Sequence, residues 1–172
     1  MIKKPYPAFI RFFLLVCRNG CLILCYTAAG AQEQPPRPMS VTLFQDISFG
    51  AIIQGNNGGS VTIFPDGSRT VSGDIFAIDL GVQYSPAIFE VEATPGTLVT
   101  IVFGPDTYLT GNNGGSMSLH IGTSDPLSPF INTLQPPGRT QVCIGGTLTV
   151  GNPLANSAGD YAGLFSVIFI QE

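Results

Sequence analysis

Only a few side chains in this sequence have the chemistry that catalysis requires. His120 is the single histidine, and it alternates with Ser118 in a segment typical of a strand. A Ser-His-Asp triad would have to use this histidine, yet no Gly-x-Ser-x-Gly turn marks a nucleophilic serine. Cys143 lies between Val142 and Ile144, an environment typical of a buried thiol. We therefore predict no catalytic residues.

Paired carboxylates are the other chemistry to consider. Glu90 and Glu92 fall on one face of a predicted strand, about 6 to 7 Å apart, a separation compatible with the carboxylate pair of a glycosidase. Alternating acidic residues are, however, the usual water-facing side of an amphipathic strand. The sequence has no tryptophan to form a sugar platform, although three tyrosines remain as stacking surfaces: Tyr84, Tyr108 and Tyr161. We interpret the chain as a non-enzyme.

Two copies of Gly-Asn-Asn-Gly-Gly-Ser, at 55–60 and 111–116, lie 56 residues apart, and each is followed by a predicted strand. Neither copy has the lysine of a phosphate-binding loop, and both lack the aspartates that give calcium loops their affinity. We predict that they are turns at similar positions in two halves of one sandwich. With one histidine and no cysteine pair after removal of residues 1–31, we predict no metal or cofactor site.

The N-terminal residues are typical of an export signal. Lysines and an arginine precede two apolar runs, 12–16 and 21–26, and Ala29 and Ala31 form the small-residue motif of a cleavage site. We predict a cleavable signal helix over 1–31. Neither apolar run approaches the roughly 20 residues of a membrane-spanning helix, so we expect no integral membrane domain after cleavage. Lipidation at Cys21, which follows a small residue, stays open as an alternative.

Removal of residues 1–31 changes the charge of the chain. All the lysines are lost, and three arginines remain against eleven acidic residues, for a net charge of −8. Binding to phosphates needs clustered lysine or arginine, so nucleic acid is excluded as a partner. Cys143 becomes the only cysteine, so no intramolecular disulfide can form.

Residues 32–39 are a proline-rich extended leader, and 40–172 alternate apolar and polar residues between turns. The sequence predicts an all-β fold, an immunoglobulin-like antiparallel β-sandwich. The predicted strands cover 40–48, 60–64, 69–72, 75–79, 87–93, 98–103, 116–121, 140–144, 147–150 and 163–170. Pro65-Asp66-Gly67-Ser68 predicts a hairpin turn, because proline and aspartate favour turns and glycine accepts positive φ.

The last predicted strand is apolar on nearly both faces. This pattern suits either a central strand or a strand whose outer face contacts another subunit. We take six of its residues as the candidate assembly contact: Leu164, Phe165, Val167, Ile168, Phe169 and Ile170.

Several segments, in this order and spacing, resemble one bacterial exported family, domain of unknown function 4402 (DUF4402). They are Ile47-Ser48-Phe49-Gly50, Val61-Thr62-Ile63 with 65–70, Phe89-Glu90-Val91, 116–119, 144–150 and 159–167. The resemblance spans nearly all of 40–172. It implies a small β-sandwich of secreted or outer-surface proteins, distantly similar to fimbrial subunits, with no catalytic residues to transfer. It also suggests that Tyr161 is a corner tyrosine that ties a loop to a strand.

The resulting hypothesis is an exported, non-enzymatic structural or adhesive module, with a fimbrial subunit as its most specific form. It would reside in the periplasm, on the outer surface or outside the cell. Its partners would be other subunits or a periplasmic chaperone, bound through the C-terminal strand. A donor strand requires a spare alternating N-terminal segment, and Met39, Val41 and Leu43 are spare only if they lie outside their own sandwich. The alternative is a soluble module that binds a glycan or calcium.

Overall fold

The computed structural model describes residues 37–172, so the predicted signal helix over 1–31 and residues 32–36 of the leader lie outside the described residues. All regular structure in 37–172 is β-strand, which confirms the predicted all-β class. The strands are β1 (Ser40–Gln45), β2 (Ser48–Phe49), β3 (Ile52–Ile63), β4 (Arg69–Ala77), β5 (Tyr84–Ser85), β6 (Ala87–Glu92), β7 (Leu98–Phe103), β8 (Thr107–Gly111), β9 (Ser116–Asp125), β10 (Phe130–Ile131), β11 (Thr140–Val150), β12 (Tyr161–Ala162) and β13 (Val167–Gln171). Within this range there is no helix long and apolar enough to cross a membrane.

Strand β11 is the centre of the large antiparallel sheet. It pairs along one side with β9, and its other side is shared by β6 in its first half and β3 in its second. Strand β1 extends the sheet beyond β6, β4 extends it beyond β3, and β8 and β12 follow β9. A second sheet has the order β10-β7-β13, and β2 pairs with β5.

The two larger sheets enclose one apolar core. Buried side chains from β6 and β11 face those from β7, including Val91, Val142 and Val99. The rings of Phe89 on β6 and Phe169 on β13 lie 5.4 Å apart across the sandwich. The order β1-β6-β11-β9 corresponds to strands A, B, E and D of an immunoglobulin fold, and β7-β13 corresponds to C and F. The predicted immunoglobulin-like sandwich is therefore confirmed.

Strand β11 was predicted as two strands separated by Gly145-Gly146. The structure has one strand, and its register with β9 shifts between these two glycines. A Cβ on Gly145 would lie 2.5 Å from the carbonyl oxygen of Ile63. The glycines therefore allow an irregular step inside a continuous strand, where β11 changes its partner from β6 to β3.

The prediction that the two Gly-Asn-Asn-Gly-Gly-Ser copies form similar turns is wrong. Residues 111–116 do connect β8 to β9, with positive φ at Gly114 and Gly115. Residues 55–60 instead lie within β3, where the pairing with β4 shifts between Gln54 and Gly59. The difference arises from the partner strand, because a carboxylate oxygen of Asp74 on β4 accepts a hydrogen bond from the amide of Asn57.

The hairpin between β3 and β4 is confirmed. The amide of Phe64 donates to the carbonyl of Ser68, and Gly67 has a φ of 82°. The carboxylate of Asp66 accepts hydrogen bonds from the amide and hydroxyl of Ser68, at 2.9 and 2.6 Å. These bonds lower the pKa of Asp66 below its ordinary value. The turn therefore forms as the proline-aspartate-glycine sequence predicts.

Candidate functional site

The C-terminal strand β13 pairs with β7 on one side only. The amide of Gly104 donates to the carbonyl of Ser166, and the amide of Glu172 donates to the carbonyl of Leu98. Both bonds join residues that lie opposite each other in the register of β13 with β7. Bonded and open residues alternate along an antiparallel strand. Ile168 and Ile170 therefore bond to β7, whereas the backbone groups of 167, 169 and 171 point to the other side. No strand among residues 37–172 pairs with that side.

Strand β1 has an inner face that the second sheet does not cover. Its register with β6 places Val41 beside Val91 and Leu43 beside Phe89, on the core side of the sheet. Val91 is fully buried, yet Val41 is 36% exposed and Leu43 is 50% exposed. The exposure arises because the second sheet ends at β13. In an immunoglobulin fold, strand G lies beside F at this place.

We call the space between β1 and the free edge of β13 the open groove. Its floor is Val41 and Leu43, and its wall is the open side of 167–171. The amide of Met39 donates to Oε1 of Gln171 at 2.9 Å, which joins the two strands at one end of the groove. Strand β13 has no charged residue, proline or bulge, the usual features that protect an edge from pairing.

The six predicted contact residues separate into three groups. Val167 and Phe169 point inward and are half-buried against the core. Ile168 and Ile170 point outward and are exposed, beside Val102 on β7. Leu164 is exposed in the loop before β13, whereas Phe165 in the same loop packs on the core. The strand is thus neither interior nor fully covered on its outer face.

Sequence reasoning did not identify Val41 and Leu43 as site residues. It recognised that they alternate with Met39, which is the signal of a strand with one apolar face. That signal does not show whether a second sheet covers the face. Only the position of β1 beyond the last strand of the opposite sheet makes these side chains part of a site.

The side chains considered for catalysis are engaged in other contacts. Nδ1 of His120 lies 2.6 Å from Oδ1 of Asp106, and both side chains are exposed. Arg139 bonds to Glu90 at 2.8 Å and lies 3.6 Å from Glu92; the hydrogen bond and charge of Glu90 raise the pKa of Arg139. In the described part of the chain, no three His, Cys, Asp or Glu residues are grouped so that they could hold a metal ion.

Comparison with known proteins places the chain in a family. The model of the family described as Domain of unknown function (DUF4402) matches residues 39–170. The chain belongs to the DUF4402 family. No curated protein and no solved structure matches it.

The DUF4402 match contains both strands that border the open groove. It begins at Met39, directly before β1, and ends at Ile170, inside β13. The DUF4402 unit in this chain is therefore the sandwich itself, with β1 at one edge of the large sheet and β13 at the edge of the small one.

Proposed function

We propose that this chain is an exported, non-enzymatic structural subunit whose sandwich is completed by a β-strand from another protein subunit. The observation that carries this proposal is the open groove, in which apolar side chains on the core side of β1 lie next to a strand edge that no strand within residues 37–172 pairs. Subunits joined in this way form fimbriae or other adhesive structures at the cell surface. A periplasmic chaperone would use the same edge before assembly.

An added strand would satisfy two needs of the open groove at once. Its backbone would bond to the N–H and C=O groups of Val167, Phe169 and Gln171, which no described strand pairs, as in β-strand addition. Its alternate side chains would cover Val41 and Leu43 and so remove apolar surface from water. The occupant is therefore an extended segment with apolar side chains at every second position.

We assign the occupant to another subunit, and the alternating segment 40–45 of this chain is already in use. Residues 40–45 pair with β6 from Ser40 opposite Glu92 to Gln45 opposite Ile88. These residues are strand A of their own sandwich and are not a spare donor. This argues against a head-to-tail polymer in which each copy donates this segment to the next.

A non-enzymatic role is supported by the distribution of reactive groups. No described serine, threonine or cysteine hydrogen-bonds to His120, whose described side-chain partner is Asp106. The two glutamates are paired with Arg139, and Cys143 is half-buried on β11. Burial raises the pKa of the Cys143 thiol, and the negative charge of Asp125 raises it further. A thiol with a raised pKa is a poor nucleophile at neutral pH.

Site-specific crosslinking in the native host tests the proposal. A photo-reactive amino acid replaces Leu43 in the full chain, and a matched variant carries it at Ile53, which is 52% exposed on β3 and does not border the open groove. We expect the Leu43 variant to crosslink to one extended, alternating apolar segment of another subunit, identified by mass spectrometry. We expect no such product from the Ile53 variant.

Two results would overturn the proposal. One is equal crosslinking of the same partner from both positions, which would place the contact outside the open groove. The other is a chain that matures in the host with no crosslink at Leu43 to any protein. Export is tested on the same material, since N-terminal sequencing of the mature chain should begin at Gln32.

A further inference from the structure

The outer face of the large sheet carries two rows of hydroxyl groups, on the side opposite to the core. Thr62, Thr147 and His120 form one row, because β11 pairs Thr147 with both of the others. The hydroxyls of Thr62 and Thr147 lie 2.9 Å apart. Neighbouring strands are about 4.8 Å apart, so the row presents closely spaced polar groups.

A second row lies directly beside the first. Ser60 pairs with Thr149, Thr149 with Ser118, and Ser118 with Tyr108 across strands β3, β11, β9 and β8. Neither row contains lysine, arginine, aspartate or glutamate, although the chain as a whole is acidic. We call these two rows the hydroxyl face. Its chemistry is mainly that of hydroxyl groups that both donate and accept hydrogen bonds, with the exposed carboxylate of Asp106 held against His120 at one end.

The first row borders a depression of about 220 Å³, lined in part by Thr62, Phe64, His120 and Thr147. Gly122 forms part of its lining, and a Cβ there would lie 2.8 Å from Nε2 of His120. The glycine therefore leaves room for the imidazole above the strand. Nδ1 of His120 is held by Asp106. Nε2 makes no hydrogen bond to any described residue, so it can bond to a ligand.

The positions of the tyrosines favour a ligand site on the hydroxyl face over a site in the loops. Tyr84 lies under the guanidinium of Arg69, 4.2 Å from the ring centroid. The hydroxyl of Tyr161 lies 2.7 Å from the carbonyl of Ser157, as expected of a corner tyrosine. Tyr108, by contrast, is 65% exposed at the end of the second row. Of the three tyrosines in the described part of the chain, it is the one with the most exposed ring and without these contacts, so it is the best placed for stacking.

We propose that the hydroxyl face binds a neutral oligosaccharide, with one sugar unit in the depression. Hydroxyls of the sugar would exchange hydrogen bonds with Thr62, Thr147 and Nε2 of His120. The apolar face of a sugar would pack on Phe64 or Tyr108, since aromatic rings combine apolar area with a polar edge. A depression of this size is smaller than a typical small-molecule pocket and suits a single ring. This proposal does not depend on strand addition at β13.

The test uses the isotopically labelled full chain and tetrasaccharides of glucose, galactose, mannose and N-acetylglucosamine as probes. We expect at least one of them to shift the amide signals of Thr62, Thr147 and His120. Thr147→Val keeps the side-chain shape and removes the hydroxyl, and it should weaken binding about five- to tenfold. Tyr108→Ala should weaken it to a similar extent.

Thr42→Val is the matched control, because Thr42 is an exposed threonine on β1, outside the hydroxyl face. It should bind like the unaltered chain, and so should Leu43→Glu, which disables the open groove. The proposal is overturned if none of the four probes shifts these signals. It is also overturned if Thr147→Val binds as tightly as the unaltered chain, or if Thr42→Val weakens binding as much as Thr147→Val.

Discussion

At the scale of single residues, a buried asparagine holds the corner that leads from β6 to β7. Asn132 is almost fully buried. Its Nδ2 donates to the carbonyls of Ala93 and Leu134, at 2.6 and 2.9 Å, and its Oδ1 accepts a hydrogen bond from Thr140 at 2.7 Å. These bonds satisfy groups that would otherwise be buried without partners. The side chain thus fixes the place where the chain leaves one sheet for the other.

Replacing this asparagine with leucine should destabilise the protein. Asn132→Leu keeps a similar volume but leaves two carbonyls and a hydroxyl without partners, and we expect a loss of about 2 to 3 kcal/mol. Chemical denaturation measures the free energy of unfolding. Thr42→Leu, on the exposed strand β1, is the control and should change it little. Equal stability of Asn132→Leu and the unaltered chain would show that the corner does not depend on these bonds.

Cys143 offers a second test at the residue scale. Burial raises the pKa of its thiol, and Asp125, its register partner on β9, adds a negative charge that opposes the thiolate. We expect iodoacetamide to react with folded Cys143 along a pH profile displaced upward from that of the unfolded chain. Asp125→Asn should move the folded profile part of the way back. Mass spectrometry of the Cys143 peptide gives the rates, and a profile below that of the unfolded chain would contradict this account.

At the scale of elements, strand β13 has two kinds of amide in one short segment. Ile168 and Ile170 bond to β7, and Val167, Phe169 and Gln171 face the open groove. The side chains of Val167 and Phe169, whose backbone groups face the open groove, point inward and are half-buried against the core. A partner strand would therefore hydrogen-bond to the backbone of residues 167, 169 and 171, and its side chains would cover Val41 and Leu43 on β1.

Hydrogen exchange distinguishes the two kinds of amide. In the unassembled chain we expect the amides of Val167, Phe169 and Gln171 to exchange at least about tenfold faster than those of Ile168 and Ile170. In the assembled form, all five should be protected. Nuclear magnetic resonance resolves them individually. Uniform protection before assembly would mean that something already pairs with this edge.

At the scale of the whole molecule, the described residues supply strands in the positions A to F of the sandwich, and none of them occupies the position beside F. The core is therefore continuous between β6, β7 and β11 but uncovered under β1. A strand supplied from outside would complete the second sheet. Stability and assembly are thus linked, because the surface that is buried on assembly is the surface that the isolated fold leaves in water.

A covalently attached strand should close the open groove. We append to Glu172 one threonine, an Asn-Gly turn and then alternating valine and threonine, so that the new strand forms a hairpin with β13. The added threonine is needed because the amide of Glu172 already bonds to β7, and the residue before a two-residue turn must bond to the new strand. Covering the exposed parts of Val41 and Leu43 should raise the free energy of unfolding by about 2 kcal/mol. The control has the same residues with the valines consecutive, which breaks the alternation. A stabilisation by both versions, or by neither, would show that the groove does not select an alternating strand.

Much of the architecture follows from local patterns. Alternation and turn residues predicted β7 at its observed bounds and the hairpin at Pro65–Ser68, because side-chain period and turn conformation are properties of adjacent residues. The two-residue strands β2, β5, β10 and β12 are too short to show a period as separate strands. The continuity of β11 through Gly145-Gly146 was also missed, because only its partner strands decide whether a glycine pair is a turn or a bulge.

The sequence by itself determined that this chain is a β protein with an apolar C-terminal strand. The tertiary structure alone decided which edge stays open and which face carries the hydroxyl rows. Sheet edges depend on pairing between distant segments, as in the bond between Met39 and Gln171, which are 132 residues apart. Alternation shows that a strand has an apolar face, but whether another sheet covers that face depends on where every other strand packs.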